Sequence, residues 1–218
     1  MNEPRTVRVT GRGMIRLKPD TTRIMMTLEG KSPAYAETLA RSAADTEQIR
    51  SALSETGFKR DALKTLSFRV EPEYEGYRED DVYKQRLVGY RFCHEMKIEF
   101  PSDNVRLGRT LTALANTDLA PEFRIVYTVK DREAAKNALI GAAVADAKAK
   151  AAALAEAAGV RLKGISHIAY SLCEIEPEVR PAVFPGMKRA ACADSVSPEI
   201  EPEDIEAEDT VTIDWEIE

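Results

Sequence analysis

The feature that most constrains the fold of this chain is a long run of alternating side chains between Lys84 and Phe100. Every second residue is apolar or histidine, and the residues between them are mostly charged: Val88, Tyr90, Phe92, His94, Met96, Ile98 and Phe100 form the first set. A period of two residues is typical of a β-strand with one face in the core and the other in water. The run therefore predicts a long, half-buried strand that places His94 among core side chains.

Further strands are predicted from the same periodicity at residues 6–13, 22–30, 66–74, 122–130 and 164–176. Helices are predicted to begin at Ser32-Pro33, Asp103 and Asp131, since these residues suit helix N-termini. Gly57 and Gly159 are expected to end the first and third helices. The inner stripe expected for the first helix is Leu39, Ala43, Thr46, Ile49 and Leu53. Hairpins dominate this order, which predicts an α+β fold with mainly antiparallel sheets, three helices and two strand-and-helix units.

The segment between the two longest strands, residues 75–81, is predicted to be a polar hairpin tip. Its acidic residues are interleaved with tyrosines, and the candidate interaction surface is Tyr74, Tyr77, Glu79, Asp80, Asp81 and Tyr83. One interpretation is a solvated tip. The other is a contact surface, because tyrosine is enriched at protein interfaces.

The glycine pair Gly11 and Gly13 raises the question of a phosphate-binding loop. Such a loop requires a helix N-terminus directly after the glycines, with further glycine or Lys at fixed spacing. Here the following residues, from Met14 onward, continue as extended chain. A strand bulge or close packing of another backbone is the favoured interpretation.

No catalytic, cofactor or metal-binding residues are predicted. The only histidines are His94 and His167, so a three-histidine zinc site is excluded. Cys93 and His94 are neighbours in a strand and point to opposite faces, which excludes a dyad formed by adjacency. Cys173 and Cys192 belong to no CxxC motif.

The net charge of −6 argues against nucleic acid as a partner. No apolar run approaches the roughly 20 residues of a membrane-spanning helix. The first residues lack the pattern of a signal peptide, which favours the cytoplasm unless a leader has been removed.

Composition changes near the end of the chain. Five of the eleven prolines lie in residues 177–207, and eight acids lie between Asp194 and Asp209. We therefore expect an α+β domain over residues 1–176, an acidic proline-rich linker or loop over 177–207, and a terminal strand over 208–218. Val211, Ile213, Trp215 and Ile217 alternate in that last segment, which predicts that it returns to the sheet.

The chain resembles the SIMPL-domain family, bacterial proteins of unknown biochemical function. The resemblance rests on the order and spacing of Val9-x-Gly11-x-Gly13, Pro19-Asp20, Thr65, Pro72-x-Tyr74, Gly89-Tyr90, Asp146-Ala147-x-x-Lys150-Ala151-x-x-Leu154-Ala155, Gly159-Val160 and Gly164. It implies an α+β domain, assembly into rings or other oligomers in some relatives, a periplasmic or surface location in many, and links to stress responses in some. The missing leader and the acidic insertion depart from the pattern.

The function expected from these features is that of a non-enzymatic protein that self-assembles or binds protein partners, with a possible role in stress. The alternative is a module that binds a small ligand or a peptide. A peptide could add to an open sheet edge.

Overall fold

The computed structural model describes residues 5–119, 121–170, 178–179 and 202–218. In chain order its main elements are β1 (Thr6–Leu17), β2 (Thr21–Ser32), α1 (Tyr35–Glu55), β3 (Lys64–Glu79), β4 (Val82–Pro101), α2 (Asn104–Ala115), β5 (Glu122–Thr128), α3 (Arg132–Ala158), β6 (Leu162–Ala169), β7 (Glu178–Val179) and β8 (Ile205–Ile217). This order confirms the predicted α+β fold with three helices and antiparallel sheets.

The chain divides into two compact, interleaved units. Of the described residues, the first comprises 5–20, 128–170, 178–179 and 203–218, and the second comprises 21–119, 121–127 and 202. The division into residues 1–176, 177–207 and 208–218 expected from composition stays a prediction.

The first unit is a three-stranded antiparallel sheet in the order β1–β8–β6, with α3 packed on one face. The face of α3 toward the sheet is a stripe of small residues, which lets the helix axis approach the strands closely: Ala135, Ala143, Ala147, Ala151 and Ala155. Of these alanines, Ala143, Ala147 and Ala151 pack with Val9, Val211, Ile213 and Trp215 in the core. In the order β1–β8–β6, the last strand of the chain, β8, lies in the middle of the sheet.

The second unit contains an antiparallel sheet in which β3, β4, β2 and β5 are successive neighbours. The register of β2 against β4 places Ile24 opposite Ile98, and Met26 opposite Met96. The alternation predicted for β4 is confirmed from Phe92 to Phe100, because every second side chain in that stretch is buried in the core. Cys93 on the opposite face is also buried, which alternation alone did not predict.

Helix α1 begins later than predicted, and its buried stripe is rotated by about one residue in its first half, whereas Thr46, Ile49 and Leu53 are buried as predicted. Its N-cap is Ala34, without a side-chain cap, because Ser32 still belongs to β2. Leu39 and Ala43 are exposed, and Thr38 and Ser42 are buried in their place. The hydroxyl of Thr38 donates to the carbonyl of Ala34, which removes the main cost of burying it.

The other predicted helix boundaries agree with the structure. Asp103 accepts hydrogen bonds from two backbone N–H groups of α2, and Asp131 accepts one at the start of α3. Gly57 and Gly159 have positive φ angles of 83° and 64°, the left-handed conformation that glycine adopts readily after a helix. Strand β6 ends at Ala169, and the expected continuation to residue 176, together with Cys173 and Cys192, lies outside the described residues.

Candidate functional site

The hairpin formed by β3 and β4 continues past the end of the strand beside it. Strand β2 pairs with β4 only from Tyr90 to Pro101, whereas β3 pairs with β4 as far as Glu79 and Val82. In the described residues, Glu73–Glu79 of β3 and Val82–Gly89 of β4 therefore form a two-stranded ribbon. The predicted seven-residue tip is wrong, because the strands reach to a two-residue turn at Asp80 and Asp81.

One face of this ribbon carries exposed apolar and aromatic side chains. Tyr74 lies opposite Leu87, and the ring of Tyr83 crosses over Gly76, where a Cβ would meet the Tyr83 hydroxyl at 1.8 Å. Tyr74 and Tyr83 are 58% and 71% exposed. The glycine therefore makes room for an aromatic ring that covers the backbone of the facing strand.

The other face of the ribbon is mainly charged. Arg86 pairs with Glu75 at 2.8 Å, and its guanidinium lies 5.8 Å from the ring centroid of Tyr77. Hydrogen bonding to Glu75 raises the pKa of Arg86 above its ordinary value. The predicted tyrosines are thus all exposed, but they are divided between two faces; the side chain of Glu79 lies outside the described part of the structure.

The turn of the hairpin is backbone-strained. Asp80 and Asp81 have φ angles of 51° and 60°, values that a type I′ turn requires at both central positions and that Asn-Gly adopts most readily. The Asp81 carboxylate pairs with Arg78 at 3.2 Å. The two predicted acidic residues therefore form the turn itself.

We expect the double substitution Asp80→Asn and Asp81→Gly to raise the free energy of unfolding by about 1 kcal/mol, since it relieves left-handed strain at two residues. Urea titration would measure the change. Gln85→Gly, at an ordinary strand conformation, is the matched control and should lower stability. An equal or negative effect of the Asn-Gly pair would show that the turn is not strained.

The outer edge of β3 is open in the described part of the chain, since β3 is the first strand in its sheet and its one neighbour is β4. Pro72 lies in this edge strand, and because proline has no N–H it removes one hydrogen-bond donor from the strand. Strand β3 has a bulge at Leu66, and Val88 forms a bulge in the neighbouring strand β4 beside Glu73 and Tyr74.

The edge strand β1 of the first unit, by contrast, is covered by side chains from α3. Asp146 accepts a hydrogen bond of 2.7 Å from the backbone N–H of Arg12, and Lys150 Nζ donates to the carbonyl of Thr10 at 3.4 Å. Lys150 also pairs with Asp146 at 2.7 Å, and together these contacts lower the pKa of Asp146. Two backbone groups that a further strand would use are therefore already occupied.

His94 is a core histidine with both ring nitrogens bonded. Nδ1 lies 3.1 Å from the hydroxyl of Thr46, and Nε2 lies 2.9 Å from the hydroxyl of Thr65. The ring also contacts Phe68 edge-to-face at 5.2 Å between centroids. Burial, and to a lesser extent the charge of Arg50, lowers the pKa of His94. The predicted hydrogen-bonded core role is confirmed.

Because the pKa of His94 is lower in the folded state, the unfolded chain binds a proton first as the pH falls. Below the unfolded pKa of about 6.5, this difference reduces stability, by at most about 1.4 kcal/mol per pH unit. We expect the variant His94→Gln to lose less stability than the natural protein between pH 7 and pH 5. Chemical unfolding across that range would test this, and parallel profiles would contradict it.

Gly11 and Gly13 face the helix and not an open loop. A Cβ on Gly11 would lie 2.1 Å from the carbonyl oxygen of Ala143, and one on Gly13 would lie 2.3 Å from that of Leu139. Strand β1 continues through Leu17 after the glycines, as predicted. The favoured interpretation, close packing of another backbone, is confirmed.

Two polar arrangements were not predicted from the sequence. His167 lies opposite Asp214 in the ladder, and Asp214 also binds Arg8 through 2.7 Å and 2.9 Å hydrogen bonds, which lower its pKa. Asp209 is 8% exposed and accepts a 2.8 Å hydrogen bond from the Tyr170 hydroxyl. The sequence signal for this burial was spacing. Asp209 lies two residues before Val211, so the alternation of a strand places both side chains on the inner face.

The first unit also carries an open depression of about 290 Å³ on its surface. It is lined by Met14, Ile15, Arg16, Glu206, Ala207 and Glu208, and an Arg16–Glu206 ion pair lies along it. Within the described ranges, no three His, Cys, Asp or Glu residues are grouped so as to hold a metal ion. No described helix has the length and apolar character needed to cross a membrane.

Residues 7–215 match the family model SIMPL, described as a protein of unknown function (DUF541). No curated protein matches the chain.

Proposed function

The chain belongs to the SIMPL family of unknown function, and on that premise we propose that it is a non-enzymatic protein that assembles with protein through its β3–β4 hairpin. The partner is a second copy or another protein. The observation that carries the proposal is the two-stranded ribbon with its exposed apolar side chains: Tyr74, Tyr77, Val82, Tyr83, Leu87 and Val88.

A ribbon of this kind has little stability of its own in water, because two strands bury too little apolar surface. Exposed apolar side chains grouped on one face of a protein, as Tyr74, Tyr83 and Leu87 are here, mark interaction sites. Tyrosine suits such a site, since it contributes a large apolar ring together with a polar hydroxyl. Contact with protein would bury the ring of Tyr83, now 71% exposed, and the side chain of Leu87, now 49% exposed.

The non-enzymatic part of the proposal is supported by the state of the two histidines. His94 has a hydroxyl on each ring nitrogen, so neither nitrogen is available to a substrate. His167 is exposed on a strand surface, opposite an Asp214 whose carboxylate already binds Arg8. A histidine that acts as a general base needs a free ring nitrogen within reach of the proton that it removes.

Light scattering on a sizing column, over a range of concentrations, tests the proposal for the 24.2 kDa chain. We expect a discrete multimer, and we expect Tyr83→Ser with Leu87→Ser to reduce its mass. Val105→Ser is the matched control, because Val105 is an equally exposed apolar residue, 60% exposed, on α2. A monomer at every concentration would overturn self-assembly, and equal loss in the control would exclude the hairpin.

The open edge of β3 also favours a second candidate function, the binding of an extended peptide by strand addition. Binding to the folded state alone raises the melting temperature. A thermal-shift screen with peptides, metabolites and metal ions distinguishes this candidate from assembly. If the chain binds an extended peptide, we expect a monomer whose melting temperature rises with peptides and not with small ligands.

A further inference from the structure

The open edge strand β3 has one bulge of its own and lies beside one bulge in β4. Between Thr65 and Ser67 the extra residue is Leu66 of β3, whereas between Glu73 and Tyr74 the extra residue is Val88 of β4. Between these two irregularities β3 pairs with β4 without interruption from Ser67 to Glu73, a stretch of seven residues whose middle residue is Val70. The bulge at Leu66 bends β3 and ends regular pairing on that side, and the bulge at Val88 increases the local twist of the sheet on the other.

This seven-residue segment, SFRVEPE, is complementary to its own reverse. When a second copy runs antiparallel with Val70 opposite Val70, Arg69 lies opposite Glu71 and Phe68 lies opposite Pro72, each pair occurring twice. Opposite residues in an antiparallel pair share a face, so the charged pairs fall on one face and the apolar pairs on the other. Arg69 and Glu71 pair with each other within the strand at 3.8 Å, and because their side chains are 57% and 70% exposed, both can also reach a partner.

We propose that two copies of this chain pair through the outer edge of β3, antiparallel and related by a two-fold axis at Val70. This interface deepens the assembly proposed above and rests on it. The occupant is a second copy because the interface of a two-fold dimer is self-complementary, which is the property of this segment. Pro72 cannot donate a hydrogen bond to a partner strand, and in this register the residue opposite it is Phe68, whose ring can pack on the proline.

Neighbouring registers are disfavoured by charge. Centring the pair on Arg69 places Arg69 opposite itself, and centring it on Glu71 places Glu71 opposite itself. Parallel pairing in register does both. Like charges directly opposite each other destabilise a strand pair. Glu73 adds no unpaired charge in the Val70 register, since it already accepts a 2.6 Å hydrogen bond from Arg91, which lowers its pKa.

The apolar face of the segment supports the same arrangement. Phe68 is 44% exposed although one side of its ring contacts His94. Leu66 and Tyr74, just beyond the two irregularities, are 45% and 58% exposed and would lie near each other across the two-fold axis. Pairing at this edge therefore places the exposed apolar side chains of the two copies side by side on one face of the combined sheet. The edge of β1 offers no equivalent, because Asp146 and Lys150 occupy it.

Disulfide trapping tests the register. In the full chain with Cys173→Ser and Cys192→Ser, we expect Val70→Cys to form a covalent dimer on mild oxidation, because the two Cα atoms then lie about 5 Å apart. Glu71→Cys is the matched control and should stay uncross-linked, since its two copies are more than about 7 Å apart in this register. Cross-linking of Glu71→Cys in preference to Val70→Cys would overturn the proposal.

Charge exchange tests the same contact without cysteine. We expect Arg69→Glu and Glu71→Arg each to weaken dimerisation about tenfold, and the double exchange to restore it, because opposite charges again face each other. A multimer with no Val70 cross-link and no charge rescue would overturn this interface and leave assembly standing. A monomer at all concentrations would overturn both.

Discussion

Replacement of Gly11 by alanine is expected to destabilise the first unit by about 3 kcal/mol or more. The added Cβ would meet the carbonyl oxygen of Ala143 at 2.1 Å and the amide nitrogen of Ala147 at 2.5 Å. Both are backbone atoms of α3, so no side-chain rotation can relieve the contact. The helix must move away from β1, and that loosens the packing of the alanine stripe against the sheet.

The same chain offers a matched control for this substitution. Gly141 lies within α3, and a Cβ added there would meet nothing within 4 Å beyond its own stretch of helix. Gly141→Ala should therefore raise stability by about 0.5–1 kcal/mol through helix propensity. Thermal and urea unfolding of both variants would give the comparison. Equal melting temperatures for Gly11→Ala and the natural protein would show that α3 does not lie against β1 as described.

Truncation of Trp215 to alanine is expected to cost about 3–5 kcal/mol, because the large side chain is 5% exposed and packs in the core of the first unit. The cavity left behind would be bounded by Val9, Val211 and the alanines of α3, which are held by the sheet and the helix. Since β8 lies between β1 and β6, loss of its packing should weaken both strand pairs.

Glu216→Ala is the control for Trp215→Ala. Glu216 is the next residue along β8 and is only half-buried, so its truncation should change stability by no more than about 0.5 kcal/mol. Chemical unfolding followed by tryptophan fluorescence reports directly on Glu216→Ala, and circular dichroism serves for the variant without tryptophan. A Trp215→Ala protein as stable as the Glu216→Ala protein would mean that β8 contributes little to the fold.

Part of the candidate surface was accessible from the sequence. The alternation of tyrosines and acids predicted a hairpin tip, and the structure places Tyr74, Tyr77 and Tyr83 there, all exposed. Their role in binding stays a prediction. The division of these tyrosines between two faces was inaccessible, because it depends on β3 continuing as a strand through Tyr77 to the two-residue turn, where the odd spacing of Tyr74 and Tyr77 places them on opposite faces.

Helix α1 shows the same contrast between what the sequence predicted and what the structure decides, here inside the core. Hydrophobicity predicted that Leu39 would face inward, but Thr38 is buried and Leu39 is 39% exposed. The Thr38 hydroxyl bonds to the carbonyl of Ala34, and that of Thr46 bonds to the carbonyl of Ser42 and lies beside His94. Hydroxyls that are satisfied by the preceding turn of the chain are compatible with burial, and which face of the helix is buried depends on what packs against it.

What the sequence by itself determined is the set of local elements. The carboxylates of Asp103 and Asp131 bond to N–H groups two or three residues away, and Gly57 and Gly159 adopt their turns without steric cost. The alternation of β4 follows from the geometry of a single strand. These interactions span a few residues, so they can be recognised from neighbouring letters.

The tertiary structure alone decided how distant elements meet. Gly11 lies opposite Val211 and beneath Ala143, contacts between residues that are far apart in the chain. Coverage of the β1 edge by Asp146 and the open edge of β3 both depend on which strand or helix lies next to which. Such pairing is chosen by the packing of whole surfaces, and no local pattern of residues records its outcome.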